Sequence, residues 1–271
     1  MDLKGLLIVG CGKMGGAVLR GCLKNGLKAE DVRVVEPSAE IRAALSEEGI
    51  KAAETPDAFA GFSPEVVFSA VKPFKIADVV DSFKPFTDKG AVLLTIVAGK
   101  PLSFYEARLG AAAIVRAMPN TPAAVGEGIT GAVASKSVTA RQKQAVETIL
   151  RACGEVVWVD DEAKIDGITA VSGSGPAYVF YLTEALAAAA EKLGFDKESA
   201  EKLAKATVCG SAALMKQSAD SPARLRENVT TPNGTTAAAL EILMNDAKGF
   251  VPLMTEAVKA AERRSKELGK A

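Results

Sequence analysis

Three short stretches carry residue types that could do chemistry. Gly10-Cys11-Gly12-Lys13-Met14-Gly15 fits the spacing G-x-G-x-x-G. In that pattern the first glycine allows a tight turn, the second lets a pyrophosphate approach the backbone, and the third lets helix and strand pack closely. Ser172-Gly173-Ser174-Gly175-Pro176-Ala177-Tyr178 sets small residues and two hydroxyls ahead of a long apolar run. Proline suits a first helical turn. The spacing therefore predicts a helix beginning at Pro176, capped by Ser174 or Gly175, with free N–H groups at its positive end to hold a carboxylate or phosphate. Val229-Thr230-Thr231-Pro232-Asn233-Gly234-Thr235-Thr236 offers a second anion cradle at the start of another helix. Each cradle alone also reads as an ordinary capped turn. Their company gives them weight.

Composition removes several chemistries. The chain has 271 residues and no histidine, which excludes histidine-based triads, His-ligated zinc and an imidazole acid. Its four cysteines, Cys11, Cys22, Cys153 and Cys209, show no paired or metal-like spacing; reduced thiols in a cytoplasm are the simplest account, and no metal site is expected. Lys+Arg and Asp+Glu are both 33, without blocks of like charge, so no nucleic-acid partner is expected. Leu6 to Val9 is too short for a signal-peptide core. The most apolar run, Ala177 to Ala190, is broken by Glu184 and falls short of the ~20 residues that cross a membrane. A soluble, cytoplasmic protein without membrane contact is expected.

The elements around the glycine turn are those a dinucleotide fold requires. Leu6 to Val9 reads as a buried strand, a helical pattern runs from the turn to about Asn25-Gly26, and Val32 to Val35 forms the next strand, closed by Glu36. Glu36 lies 21 residues beyond Gly15, where an acid accepts hydrogen bonds from an adenosine ribose. A nicotinamide dinucleotide is the expected cofactor. A carboxylate there favours a free 2′-hydroxyl and repels a 2′-phosphate, which leans to NADH; Ser38 and Arg42 stand close enough to keep NADPH open. Arg42 otherwise reads as a solvated helix position.

Strand and helix signals then alternate. Strands are expected at Glu65 to Val71, Ala91 to Val97, Ala113 to Arg116, Thr130 to Ala134 and Glu155 to Val159. Helices are expected at Ser38 to Glu48, Ile76 to Phe83, Pro101 to Leu109 and Ala140 to Cys153. This order implies an α/β fold with a Rossmann-type, doubly wound parallel sheet, its ligand at the carboxyl ends of the strands. After Asp160-Asp161 only helical patterns remain. The chain divides into a dinucleotide-binding domain, 1–160, and an all-helical domain, 161–271. Tyr178 to Leu193 is apolar nearly all round and must be covered on every side. Helices so rich in alanine can hardly do that alone, so a homodimer, or a larger assembly of dimers, is expected through the helical domain.

Together these segments, with Arg116 to Pro122 and Ala70-Val71-Lys72-Pro73, resemble the Δ1-pyrroline-5-carboxylate reductase family along essentially the whole chain. The resemblance implies a helical dimerisation domain and an active site between a cofactor domain and the helices of both subunits. It implies that the substrate carboxylate rests on Gly234, Thr235 and Thr236, with the Thr236 hydroxyl near the ring nitrogen. Ser172, Gly173, Gly175 and Pro176 then serve the substrate, and Ser174 joins Thr236 as catalytic. Val71, Lys72, Pro73, Ala98 and Asn228 match cofactor contacts beside Gly10, Cys11, Gly12, Lys13, Met14 and Gly15. Two positions depart from the family. Asn233 replaces the first glycine of a Gly-Gly pair, a change that asparagine's tolerance of left-handed angles permits. Glu36 stands where small or amide groups usually tolerate a 2′-phosphate.

The implied reaction reduces a five-membered cyclic imine to proline, hydride going to the imine carbon and a proton to the ring nitrogen. With no histidine, catalysis rests mainly on positioning. A β-hydroxyacid dehydrogenase would use a lysine in the helix after its glycine-rich turn, and Tyr178 to Glu191 has none. A redox sensor, or a structural dimer with a vestigial site, would not need two anion cradles.

Overall fold

The computed structural model describes Met1 and residues 3–270. Eight strands are present among them: β1 (Leu6–Val9), β2 (Val32–Val35), β3 (Lys51–Ala53), β4 (Val66–Ser69), β5 (Val92–Thr95), β6 (Ile114–Met118), β7 (Gly128–Ala134) and β8 (Gly154–Trp158). They form one sheet in the order β3-β2-β1-β4-β5-β6-β7-β8. β1 lies between β2 and β4, with Leu6 opposite both Val32 and Val66, and all three strands run parallel.

The helices are α1 (Lys13–Lys24), α2 (Ala39–Glu47), α3 (Ile76–Val79), α4 (Lys84–Thr87), α5 (Leu102–Leu109), α6 (Ala140–Arg151), α7 (Lys164–Ile168), α8 (Gly175–Lys192), α9 (Lys197–Gln217), α10 (Pro222–Asn228), α11 (Thr235–Leu243) and α12 (Phe250–Lys270).

Helices cover both faces of the sheet, and this explains the unbroken apolar runs of its strands. Leu6 and Ile8 join one core with Val18, Leu19 and Cys22 of α1 and Val146 and Ile149 of α6. Leu7 and Val9 join a second core with Ile76, Phe83, Phe86 and Tyr105. Each such aliphatic side chain contributes about 1.5–3 kcal/mol by leaving water. An exposed ion pair such as Lys84–Asp88 contributes at most ~1 kcal/mol. The cores decide the fold.

The sheet departs from all-parallel at one place: β6 and β7 pair antiparallel, Arg116 opposite Val133. Only nine residues separate Met118 from Gly128, fewer than a parallel crossover needs, so the chain turns back on itself. The short edge strand β3 is an addition to the elements read from the pattern; its residues are exposed or half-buried and give no apolar run. The helix expected over Ile76 to Phe83 is one α turn followed by a 3-10 turn, Val80–Phe83.

The chain forms two compact units, one of residues 1–174 with 261–271, the other of residues 175–260. In the second, α8 and α9 pack together, yet Ala187, Ala200 and Ala204 are the only buried apolar side chains among its described residues. Phe180 is 61% and Tyr181 71% exposed. No described helix is long and apolar enough to cross a membrane.

All four cysteines are free, three of them buried. Burial, and then the neighbouring Cys153, pushes the Cys22 thiol up to about 12. Burial alone raises Cys153 to about 11. Burial and the Glu36 charge raise Cys11 to about 11. Above pH 9, the ordinary thiol value, the unfolded chain releases protons that the folded one keeps. The stability these thiols support is thus complete below pH 9 and falls as pH climbs through about 11 to 12. Denaturant midpoints from pH 8 upward are expected to drop on that schedule. Ellman's reagent at pH 8 is expected to leave Cys11, Cys22 and Cys153 unreacted until denaturant is added.

Candidate functional site

The glycine turn after β1 is built by three different needs. Gly10 has φ +91°, and a Cβ there would lie 2.9 Å from the Ala70 carbonyl oxygen. At Gly15 a Cβ would lie 2.1 Å from the Gly10 carbonyl oxygen, so only glycine lets α1 sit this close to the strand. Gly12 faces open space and forms the N-cap of α1 with no side-chain cap. The N–H of Gly16 is the first to bond back, to Gly12. Lys13, Met14 and Gly15 therefore present N–H groups with no acceptor among the described residues, at the positive end of a 12-residue helix. Open space before three free donors fits a pyrophosphate.

Glu36 is 9% exposed and its carboxylate is engaged on both oxygens. Oε2 accepts from the Cys11 N–H at 2.8 Å and Oε1 from the Ser38 N–H at 3.0 Å. This side chain ties the glycine turn to the end of β2. Each oxygen keeps a second acceptor site, so a ribose hydroxyl can still bond to it. Arg42 is not the solvated position expected. Its Nη1 donates to the Glu36 and Pro37 carbonyls, both at 2.7 Å, and its Nη2 lies 3.9 Å from Glu54 Oε2, which holds the guanidinium on the backbone. The Ser38 hydroxyl caps α2 by accepting from the Ile41 N–H.

The turns after β4 and β5 lie at the same carboxyl edge as the glycine turn, since β1, β4 and β5 are parallel. Val71 is half-buried, Lys72 and Pro73 are exposed, and the Lys72 ammonium sits 5.8 Å from the Phe74 ring centre. Ala98 is exposed beside Gly99, whose φ is +74°. Inside this edge the Tyr105 and Thr95 hydroxyls are 2.8 Å apart, and Thr95 also accepts from the Val97 N–H at 3.3 Å. Burial drives the Tyr105 phenol up to about 12, against the lowering effects of the Thr95 hydrogen bond and the Arg116 charge.

The serine-glycine stretch does not start a helix. α7 runs into a π-helical turn, Thr169–Gly173, and this continues through Ser174, itself in right-handed helical conformation, into α8. Ser174 donates its N–H to Thr169 five residues back, at 2.8 Å. Neither Ser174 nor Gly175 is an N-cap, and the bare N–H cradle expected there is absent. Pro176 lies inside the helical run, where its missing N–H cannot reach back to Ser172; a π turn relieves such a mismatch. The Ser172 hydroxyl donates to the Ile168 carbonyl at 3.0 Å. Gly173 packs near Met118 of β6: a Cβ would lie 3.8 Å from Met118 Cγ.

In the second compact unit the threonine-rich loop matches expectation. Asn233 takes φ +61°, the only positive value at a non-glycine among the described residues. Gly234 then caps α11 without a side-chain bond and gives its own N–H to Thr231 at 3.0 Å. The N–H groups of Thr235, Thr236 and Ala237 have no acceptor, and the half-buried Thr236 forms no side-chain hydrogen bond among the described residues. Asn228, the last residue of α10, is exposed, with its amide nitrogen 3.5 Å from Asp220.

Three polar side chains assigned no role from the sequence are part of the first unit's architecture. Arg116 is 7% exposed in β6 and donates to Glu162 at 2.7 Å. Asn120, 9% exposed, accepts from the Ile129 N–H. A charge in the middle of Ile114-Val115-Arg116-Ala117-Met118 was the visible signal. No group of acidic, cysteine or histidine side chains suited to a metal occurs among the described residues.

Comparison with known proteins gives two family matches along the chain. Residues 162–268 match the family described as pyrroline-5-carboxylate reductase dimerisation, and residues 6–99 match NADP oxidoreductase, coenzyme F420-dependent. The chain is 39% identical to a pyrroline-5-carboxylate reductase of Pseudomonas aeruginosa over 99% of this chain and 98% of that one. It is similar to the solved pyrroline-5-carboxylate reductase of Coxiella burnetii (TM-score 0.93, 36% identity, 99% of both chains). A second similar structure is the Plasmodium falciparum pyrroline carboxylate reductase with NADP bound (TM-score 0.81, 30% identity, 99% of this chain and 98% of that one).

The glycine geometry separates two variants. Gly15→Ala forces a methyl against the Gly10 carbonyl and is expected to cost about 1–3 kcal/mol of stability, read as a lower denaturant midpoint. Gly12→Ala meets nothing within 4 Å and is expected to keep the midpoint while weakening dinucleotide binding about tenfold or more, measured by calorimetry.

Proposed function

The chain belongs to the pyrroline-5-carboxylate reductase family, and on that premise we propose how its residues divide the work. It is an NAD(P)H-dependent oxidoreductase that reduces the C=N bond of 1-pyrroline-5-carboxylate to give L-proline, the last step of proline biosynthesis. Residues 1–160 hold the dinucleotide and residues 161–271 supply substrate contacts and the subunit interface. Gly10 to Gly15 cradle the pyrophosphate, Glu36 takes the adenosine ribose, and Val71, Lys72, Pro73, Ala98 and Asn228 contact the rest of the cofactor. When bound, the reduced nicotinamide supplies the hydride.

The observation that carries the substrate assignment is the bare N-terminus of α11. Three N–H groups at Thr235, Thr236 and Ala237, beyond a cap with no side chain, suit a carboxylate. The imine gains a hydride at carbon and a proton at nitrogen, and the Thr236 hydroxyl orients that nitrogen and passes on a proton drawn from water. Ser172, whose hydroxyl proton is committed to the Ile168 carbonyl, can only accept from a ligand. Ser174, Gly173, Gly175 and Pro176 complete the substrate side. No imidazole exists in the chain, and the Cys11 thiol stays protonated at neutral pH. Orientation supplies most of the rate.

Glu36 favours NADH. Its carboxylate is held in place by two backbone donors at the end of β2, where an acid disfavours a 2′-phosphate, while Arg42 and Ser38 are held by the backbone and α2. The chain forms a homo-oligomer. We assign its core to a dimer made through the helices, because three alanines are the only buried apolar side chains among the described residues of 175–260, and Phe180 and Tyr181 are exposed. Four unpaired cysteines accord with a cytoplasmic setting.

Nicotinamide oxidation with pyrroline-5-carboxylate is expected to yield proline with either cofactor, with the higher kcat/KM for NADH; Glu36→Gln is expected to narrow the gap. Equal or better use of NADPH by the parent enzyme would overturn the Glu36 assignment and leave the reaction intact. Thr236→Ala is expected to lower kcat about tenfold or more with cofactor KM within about twofold. Unchanged turnover removes the role given to Thr236.

A further inference from the structure

Glu162 and Arg116 form a bond network whose placement exceeds ordinary core packing. Arg116 is buried in β6 and donates Nη1 to Glu162 Oε1 at 2.7 Å; its Nε is buried with no partner. The same Glu162 oxygen accepts from the N–H of Leu102, 60 residues earlier, at 2.8 Å. Leu102 is the first residue of α5, and the α5 N-cap is Pro101, which has no capping side chain. Glu162 therefore caps α5 from a distance, with its negative charge at the helix's positive end.

What α5 carries gives the cap its consequence. Tyr105 of α5 hydrogen-bonds Thr95, and Thr95 accepts from the Val97 N–H at the start of the turn holding Ala98. On its other side Glu162 leads into α7 and the π turn that ends at Gly173, against Met118 of β6. One carboxylate oxygen thus joins the Ala98 turn, strand β6 and the segment leading to Ser172 and Ser174.

We propose that Glu162 and Arg116 are positioning residues for the nicotinamide cofactor: they hold the Ala98 turn in place through α5 without touching cofactor or substrate. The assignment rests on the cofactor role given above to Ala98. Removing the carboxylate frees the start of α5, and the effect passes through Tyr105 and Thr95 to the cofactor side.

The test compares Glu162→Ala and Glu162→Gln in the full-length enzyme, with Ala98→Leu as reference. Glu162→Ala is expected to raise the KM for the nicotinamide cofactor about tenfold while the KM for the imine stays within about twofold. Glu162→Gln keeps an oxygen that accepts from both Leu102 and Arg116, so it is expected to recover most of the loss. Should Glu162→Ala not fold by circular dichroism, Glu162→Asp replaces it, because a carboxylate one methylene shorter cannot reach both donors. A cofactor KM that stays within twofold, or a loss that glutamine does not recover, overturns the proposal if Ala98→Leu weakens the cofactor. An Ala98→Leu enzyme with unchanged cofactor KM overturns instead the role given to Ala98, and the proposal with it.

Discussion

The approach of α1 to the first strand is the constraint on which the cofactor half depends. A methyl group at Gly15 would overlap the Gly10 carbonyl, so helix and turn meet backbone to backbone. That contact aims the axis of α1, and with it the three unshared N–H groups, at the space before Gly12. The Glu36 carboxylate then pulls the same turn onto β2 through Cys11. Glycine supplies the room and glutamate the tether; neither would fix the direction of the helix alone.

Charge enters the interior of this sheet at few points: Glu36 is answered by backbone and Arg116 by the Glu162 carboxylate. Glu36 takes two N–H groups, while Arg116 shares Glu162 with the N–H at the start of α5. Buried charges without partners cost far more than one hydrogen bond returns, so these residues restrict the turns around them to one arrangement. The turns so restricted, at Cys11 and at Ala98, stand at the carboxyl edge of the sheet where ligands of such folds bind.

Much of this was legible in the amino-acid pattern because its causes are local. Buried parallel strands announce themselves as Leu6 to Val9 or Val66 to Phe68, and the left-handed angle at Asn233 follows from what asparagine tolerates. The rest depended on distance along the chain. The reversal between β6 and β7 is set by how little chain joins them, and β3 has no apolar signature. The serine-glycine stretch misled for a physical reason: Pro176 looks like a helix start, and a π turn lets the helix run through it. Glu162 acts on partners 46 and 60 residues earlier and Arg42 on backbone carbonyls that no periodicity shows, so their roles became visible only with the backbone in place.

The thin interior of residues 175–260 ties order to concentration. Three alanines remove little apolar surface from water, so the free energy that keeps these helices folded must come largely from whatever covers Phe180 and Tyr181. In the helical dimer proposed above that cover is another copy, and its contribution obeys mass action. Folding of this half and assembly then become a single equilibrium. On dilution the helices would lose their cover and their order together, while the sheet, with two cores of its own, would persist as a folded but unassisted dinucleotide binder.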